Sequence, residues 1–240
     1  MKNIFVLLAF LFLSQVIYGQ KILSNVYAAT SPGIILHGEN NPMKYFQLEL
    51  IQLAPNKKYK KKTRTTEHLI LAKSGSPLLT SGTIHNILTP TSMAMIVKGQ
   101  KYQMTNTSSQ DAWFYVLSYE GRDPSKGSDT AKSFVRLVDD LAFHAHERGG
   151  VRSYFDKATS QTKRFEVHAT TLKAGLKSHD PHTHKSEEII LMIEGDTEML
   201  IGERHYQAHG GDTYYVESMD LHGIQNKGMG LCSYYAIQWE

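Results

Sequence analysis

GLKSHDPHTHKSEEIILMIEG, residues 175–195, holds more chemistry than any other stretch of the chain. His182 and His184 are one residue apart, Glu188 follows after three more, and Gly195 closes an apolar run. Side chains alternate along an extended strand, so the two imidazoles point the same way. Two imidazoles on one face with a carboxylate nearby form a metal-ligand set that lacks one donor. His222 is the candidate for that donor: it follows the strand-like segment Gly211-Asp-Thr-Tyr-Tyr-Val216 and a turn, and opens His222-Gly-Ile-Gln-Asn226.

His-x-His, three residues, Glu, six residues, Gly, then Gly-Asp and His-x-x-x-Asn downstream, resembles the paired motifs of the cupin superfamily. Both motifs are complete. The resemblance implies an all-β fold, a small antiparallel barrel of jelly-roll type, with a metal held inside by His182, His184, Glu188 and His222. Three imidazoles and one carboxylate suit a first-row divalent ion, namely manganese, iron, nickel, copper or zinc, with manganese favoured.

Outward from this core the chain repeats itself. Glu67-His-Leu-Ile-Leu-Ala-Lys-Ser-Gly75 reads like Glu187-Glu-Ile-Ile-Leu-Met-Ile-Glu-Gly195 at an offset of 120, and Phe46 to Leu53 echoes Phe165 to Leu172 at 119. A repeat of this length is one domain duplicated. The chain is therefore similar to the two-barrel cupins, with tandem cupin domains over 20–128 and 164–240 joined by a connection, 129–163, that begins in the turn-rich Glu120 to Asp129. A constant offset places Lys62, Arg64, His68 and Tyr102 where the second barrel has its ligands, and cationic donors repel a metal ion, so the first barrel is expected to be metal-free. The basic run Lys57 to Arg64 has two readings, a solvated loop or the mouth of an anion site.

Residues 1–19, with Lys2 before the apolar run Ile4 to Leu13 and small Gly19 at the end, read as a signal peptide, so the protein is expected to be exported, to the periplasm or beyond. The apolar run is too short for a bilayer, and no membrane span is expected in the mature chain. The lone Cys232 has no partner for an internal disulfide. A formal net charge of +3 gives no reason to expect a nucleic-acid partner; the expected partner is a small-molecule substrate, with a homodimer left open. With 41% hydrophobic residues over 240, there is material for ordinary globular cores.

Around the metal motif, Ile190 and Met192 share parity with Glu188 and are expected to make an apolar, substrate-facing wall; Asn226 shares parity with His222 and either contacts substrate or forms a turn. On the strand that opens the second barrel, Glu166 and His168 lie on a polar face together with Thr170. Inward, they are the acid/base pair of a metal site; outward, they are ordinary surface. His144 and His146 form another His-x-His with no carboxylate at motif spacing and read as surface histidines.

Function stays open at this point between classes. The first reading is a metal-dependent enzyme acting on a small oxygen-rich or carboxylated substrate. Two-barrel cupins similar to this chain include oxalate decarboxylases, flavonol dioxygenases and ureidoglycine aminohydrolase. The last is most alike in layout, but the metal set here keeps the common His-x-His, Glu, His order, so its substrate is not carried over. Sugar or uronate processing and non-enzymatic capture of a small ligand are the alternatives.

Overall fold

The computed structural model describes residues 19–29 and 31–240; apart from Gly19, the expected signal peptide lies outside the described residues. Every strand pair among the named strands is antiparallel. Two large sheets pack back to back, and each carries a smaller sheet on its other side. The strands of the second large sheet run in the order Asn25–Tyr27, Thr213–Val216, Glu187–Glu194, Cys232–Trp239, Phe165–Leu172, Gly149–Lys157 and His144–His146. The first runs Phe134–Arg136, Met93–Ile96, Glu67–Ser74, Ala112–Gly121, Met43–Leu53 and Gly33–Gly38. No helix among the described residues is long and apolar enough to cross a membrane.

Why the central strands carry an unbroken apolar run, over residues 69–72 and 189–193, follows from this layering. Ile189 and Leu191 enter the core between the two large sheets, while Ile190 and Met192 enter the core inside the second barrel. A strand covered on both faces reads as a continuous hydrophobic run rather than an alternating one. The core between the sheets is aromatic: Phe46 stacks on Trp239 at 4.9 Å and Tyr119 on Phe165 at 4.9 Å. Offset stacks of this kind add about 0.5–1.5 kcal/mol each beyond area burial.

The duplication is visible in the strand registers. Leu53 pairs with Ala112 as Leu172 pairs with Cys232, an offset of 119 on one strand and 120 on its partner. Gly75 and Gly195 both have positive φ, and a Cβ on either would lie 2.8 Å from the Cα of Ala112 or Cys232. Only glycine lets these two strands approach so closely.

Two short strands are exchanged between the barrels. Asn25–Tyr27, which precedes the first barrel in sequence, pairs with Thr213–Tyr215 of the second, and Phe134–Arg136, which precedes the second, pairs with Met93–Met95 of the first. The stretch 129–163, read from sequence as a connection, therefore supplies strands to both large sheets. His144 and His146 sit exposed on the edge strand of the second.

Where the second barrel has its histidines, the first barrel has a closed polar cluster. Tyr102 is the cross-strand partner of Lys61, as His222 is of His182, so the residue facing the vacated ligand position is Lys61 rather than Lys62. The one-residue difference arises because the loops leading into the two sites differ in length. Both His68 nitrogens are engaged, Nδ1 with the Tyr102 hydroxyl at 2.9 Å and Nε2 with that of Thr66 at 3.0 Å. Neither nitrogen of His68 is left without a partner.

Asn226 is a turn residue. Its Nδ2 donates to the Leu172 and Gly230 carbonyls at 3.0 and 2.9 Å, and its Oδ1 accepts from the Gly228 N–H at 2.9 Å. Asn106 makes the matching bonds to Leu53 and Gln110 in the first barrel. Of the two roles read from sequence, the structure shows the turn, and every polar atom of the side chain is used up in it. Asn226→Ala should cost about 2–4 kcal/mol in chemical denaturation, because it strands buried partners; a loss below about 0.5 kcal/mol would contradict this role.

Burial holds the His68 imidazole down to about 4, with the nearby positive charge of Lys61 acting in the same direction. The unfolded chain binds this proton below about 6.5 while the folded chain does not until about 4, so stability is lost as pH falls through that window. Between pH 7 and pH 4, wild type should lose about 3 kcal/mol more than His68→Gln in urea denaturation. Parallel losses would show that His68 is not held neutral.

Candidate metal centre

His182 and His222 are joined backbone to backbone, each N–H donating to the other's carbonyl at 3.0 Å. The bridge fixes their rings with centroids 4.7 Å apart, and His184 stands 4.7 Å from His222. One nitrogen from each of the three rings lies within 4.8 Å of the others. His184 Nδ1 donates to the Ser186 carbonyl at 2.9 Å and His222 Nδ1 to the Asp220 carbonyl at 2.8 Å. With the proton assigned to Nδ1 by a carbonyl acceptor, Nε2 is left as a bare lone pair.

Those Nε2 atoms face the Glu188 carboxylate. The Nε2 atoms of His184 and His222 lie 3.5 and 3.2 Å from Glu188 Oε2, buried and without a hydrogen-bond partner. Gln238 donates to the other Glu188 oxygen at 3.0 Å. Burial pushes the Glu188 carboxyl up, but His184, His222 and Gln238 more than offset this and hold it well below the usual carboxylate range. His184 is raised, mainly by Glu188; His182 is lowered by burial and by the neighbouring histidines His179, His222 and His184. Two buried imidazole nitrogens facing a carboxylate without a hydrogen-bond partner leave a gap that a cation, proton or metal, completes. The donor set fits a divalent transition metal.

The loop beneath the histidines is strapped down. The Met219 N–H donates to the His184 carbonyl at 2.8 Å, with Met219 held at φ +70. Ser24, from the exchanged N-terminal segment, donates through its hydroxyl to Asp220 at 2.5 Å and accepts from the Glu217 N–H at 2.8 Å; Lys21 pairs with Glu217. Nothing in the local sequence of either segment signals this pairing, which spans 193 to 196 residues.

The parity of the opening strand is settled by its partners. Phe165 and Val167 enter the core between the sheets, so Glu166 and His168 face the barrel interior, opposite Gln238 and Ala236 on the next strand. Glu188, Gln238 and Glu166 thus form one row across three adjacent strands, roughly 10 Å from end to end. His168 Nδ1 and Glu166 Oε1 are 2.9 Å apart, and Arg164 contacts the other Glu166 oxygen while pairing with Asp156 at 2.9 and 3.0 Å. The hydrogen bond from His168 lowers the Glu166 carboxyl, against the opposing effect of burial and with help from Arg164. Gln238 and Arg164 escaped the sequence reading because their roles depend on which strands become neighbours.

Ile190 lies one row deeper than Glu188 on the same face and is buried. Met192 shares that face but sits about 13 Å along the strand from Glu188, against Thr197 at the closed end. The structure therefore brings His182, His184, Glu188 and His222 together, with Ile190 beside them and Glu166–His168 across the interior, and it does not bring Met192 or the side chain of Asn226 to that centre.

Residues 169–237 match the cupin domain family model. No curated protein sequence matches the chain. Among solved structures, an oxalate decarboxylase from Lactobacillus farciminis in complex with formate is similar, at TM-score 0.70 and 13% identity over 93% of this chain and 88% of that one. AerE from Microcystis aeruginosa is similar at 0.67 and 18%, over 89% and 96%, and a protein from Pseudomonas aeruginosa described as glyoxylate-induced at 0.68 and 18%, over 81% and 74%. At such identities the likeness shows the fold alone. The domain match marks the second half of the chain as cupin-like, and the solved structures show for the whole chain a fold of two such barrels in tandem.

Proposed function

We propose that the second barrel is the active centre of an exported, metal-dependent enzyme acting on a small oxygen-rich or carboxylated substrate. The observation that carries this reading is the pair of buried Nε2 atoms of His184 and His222, without a hydrogen-bond partner, facing Glu188. His182, His184, Glu188 and His222 would hold one divalent ion, of manganese, iron, nickel, copper or zinc. Bound there, such an ion supplies Lewis-acid polarisation of substrate oxygens.

The protein's own residues supply the rest. The ionised Glu166 carboxylate, itself anchored by Arg164, holds the proton on His168 Nδ1 and leaves Nε2 as the proton acceptor on the interior face. A base oriented by a carboxylate is the arrangement that proton transfer requires. Ile190 and Ala236, packed in the same interior, keep water from the wall beside the ligands and strengthen electrostatic interactions there. Relatives of the same fold include oxalate decarboxylases, which is in keeping with a small carboxylated substrate.

In metal-loaded protein, His168→Gln and Glu166→Gln should each lower turnover by about a hundredfold or more, the usual share of a general acid/base, while metal content stays at one equivalent. Full activity in both variants would remove the pair from the mechanism. Removing the metal with a chelator should abolish turnover and leave the fold intact; loss of fold instead would mark the metal as structural.

A further inference from the structure

The first barrel carries a charged surface that the proposed reaction does not use. On the strand Lys58–Lys62, Lys61 pairs with buried Tyr102 and shares its inward face, which turns Lys60 and Lys62 outward. Lys101, on the adjacent strand Lys101–Thr105, stands directly opposite Lys62 on that outer face. Like charges directly opposite one another across a strand pair are destabilising. Lys60 and Lys62 are about 7 Å apart along the strand, and Lys62 and Lys101 about 5 Å apart across it. The three side chains therefore leave the same face of the sheet from neighbouring positions.

That area lines a cleft. An open depression of about 570 Å³ is bounded by Lys60, Lys62 and Lys101 together with Thr80, Gln103 and the hairpin residue Gly82. None of these lysines takes part in an ion pair among the described residues, and no carboxylate lines the cleft.

Duplication provides an internal control. The matching outer face of the second barrel has a cleft of about 240 Å³ whose lining mixes charges: Glu198 lies 3.1 Å from Lys227 and 3.3 Å from His205, with Lys177 also present. The architecture alone does not demand an uncompensated basic face. Protection of an exposed sheet edge accounts for lysines on Lys58–Lys62, which is an edge strand, but not for Lys101, whose strand has neighbours on both sides.

We propose that this cleft binds a multivalent oxyanion, an organic tricarboxylate or the carboxylate and sulfate groups of an acidic saccharide. Three lysines rooted about 5–7 Å apart on one face exceed what one carboxylate can satisfy and suit a ligand that carries several negative charges. Thr80 and Gln103 add hydroxyl and amide groups at the floor. Recognition of this kind weakens steeply with salt. The site is separate from the histidine cluster and stands or falls independently of the metal.

Calorimetric titration of the full-length protein tests it, with benzene-1,3,5-tricarboxylate, a sulfated disaccharide and benzoate as probes. At low ionic strength at least one multivalent probe should bind about tenfold or more tighter than benzoate, and added salt should weaken it. Tighter binding of the sulfated disaccharide assigns the saccharide as the source of the charges; tighter binding of the tricarboxylate assigns a free acid. The double variant Lys62→Gln, Lys101→Gln should weaken that binding by about tenfold, whereas Lys173→Gln, an exposed lysine elsewhere, should not. Multivalent probes that bind no tighter than benzoate, or an equal loss in the Lys173 variant, would overturn the proposal.

Discussion

Covering both faces of two central sheets is the constraint on which the rest of this molecule depends. The aromatic core in which Phe46 stacks on Trp239 and Tyr119 on Phe165 fixes one face of each large sheet. Once Phe165, Val167, Ile189 and Trp239 are committed to that core, alternation sends Glu166, His168, Glu188 and Gln238 into the second barrel. The position of the polar chemistry thus follows from a hydrophobic decision made on the opposite side of the same strands. A one-residue slip in any of them would put charge between the sheets and phenyl rings among the histidines.

The same packing keeps the candidate centre rigid. His182 and His222 are locked by a reciprocal backbone bridge, His184 and His222 by carbonyl acceptors, and Glu188 by Gln238. The exchanged segment ties the ends of the chain together at this point, since Ser24 holds Asp220 and Glu217 beside the loop that leads into His222. Second contacts of this type set ring orientation and tautomer, and with them the basicity of the donor atoms. Duplication left the first barrel with the same frame and opposite contents: His68 spends both nitrogens on hydroxyls, and Lys61 brings a positive charge where the second barrel gathers lone pairs.

Much of this was legible in the sequence, for reasons that can be stated. His182, His184 and Glu188 fall within one short stretch, the loop into the strand Glu187–Glu194 and that strand's start, and His222 opens the strand His222–Asn226, so each motif is local; the tandem repeat preserved Gly75 with Gly195 because both sit where a Cβ does not fit. The direction of Glu166 and His168 was not legible, because parity says which residues share a face but not what covers it. Lys61 was mistaken for Lys62 because a constant offset ignores loops of unequal length. Gln238, Arg164 and Ser24 were invisible because their partners lie on strands brought together only by the fold. The exchange of Asn25–Tyr27 and Phe134–Arg136 was hidden for the same reason, each being three residues long.

The central claim is that one divalent ion sits between His182, His184, Glu188 and His222. Metal content by mass spectrometry, on wild type and on His184→Ala loaded and desalted in parallel, addresses it most directly. One equivalent in wild type and a large loss in the variant, with the melting profile showing the variant folded, is the result the account predicts. Unchanged stoichiometry in folded His184→Ala would contradict it.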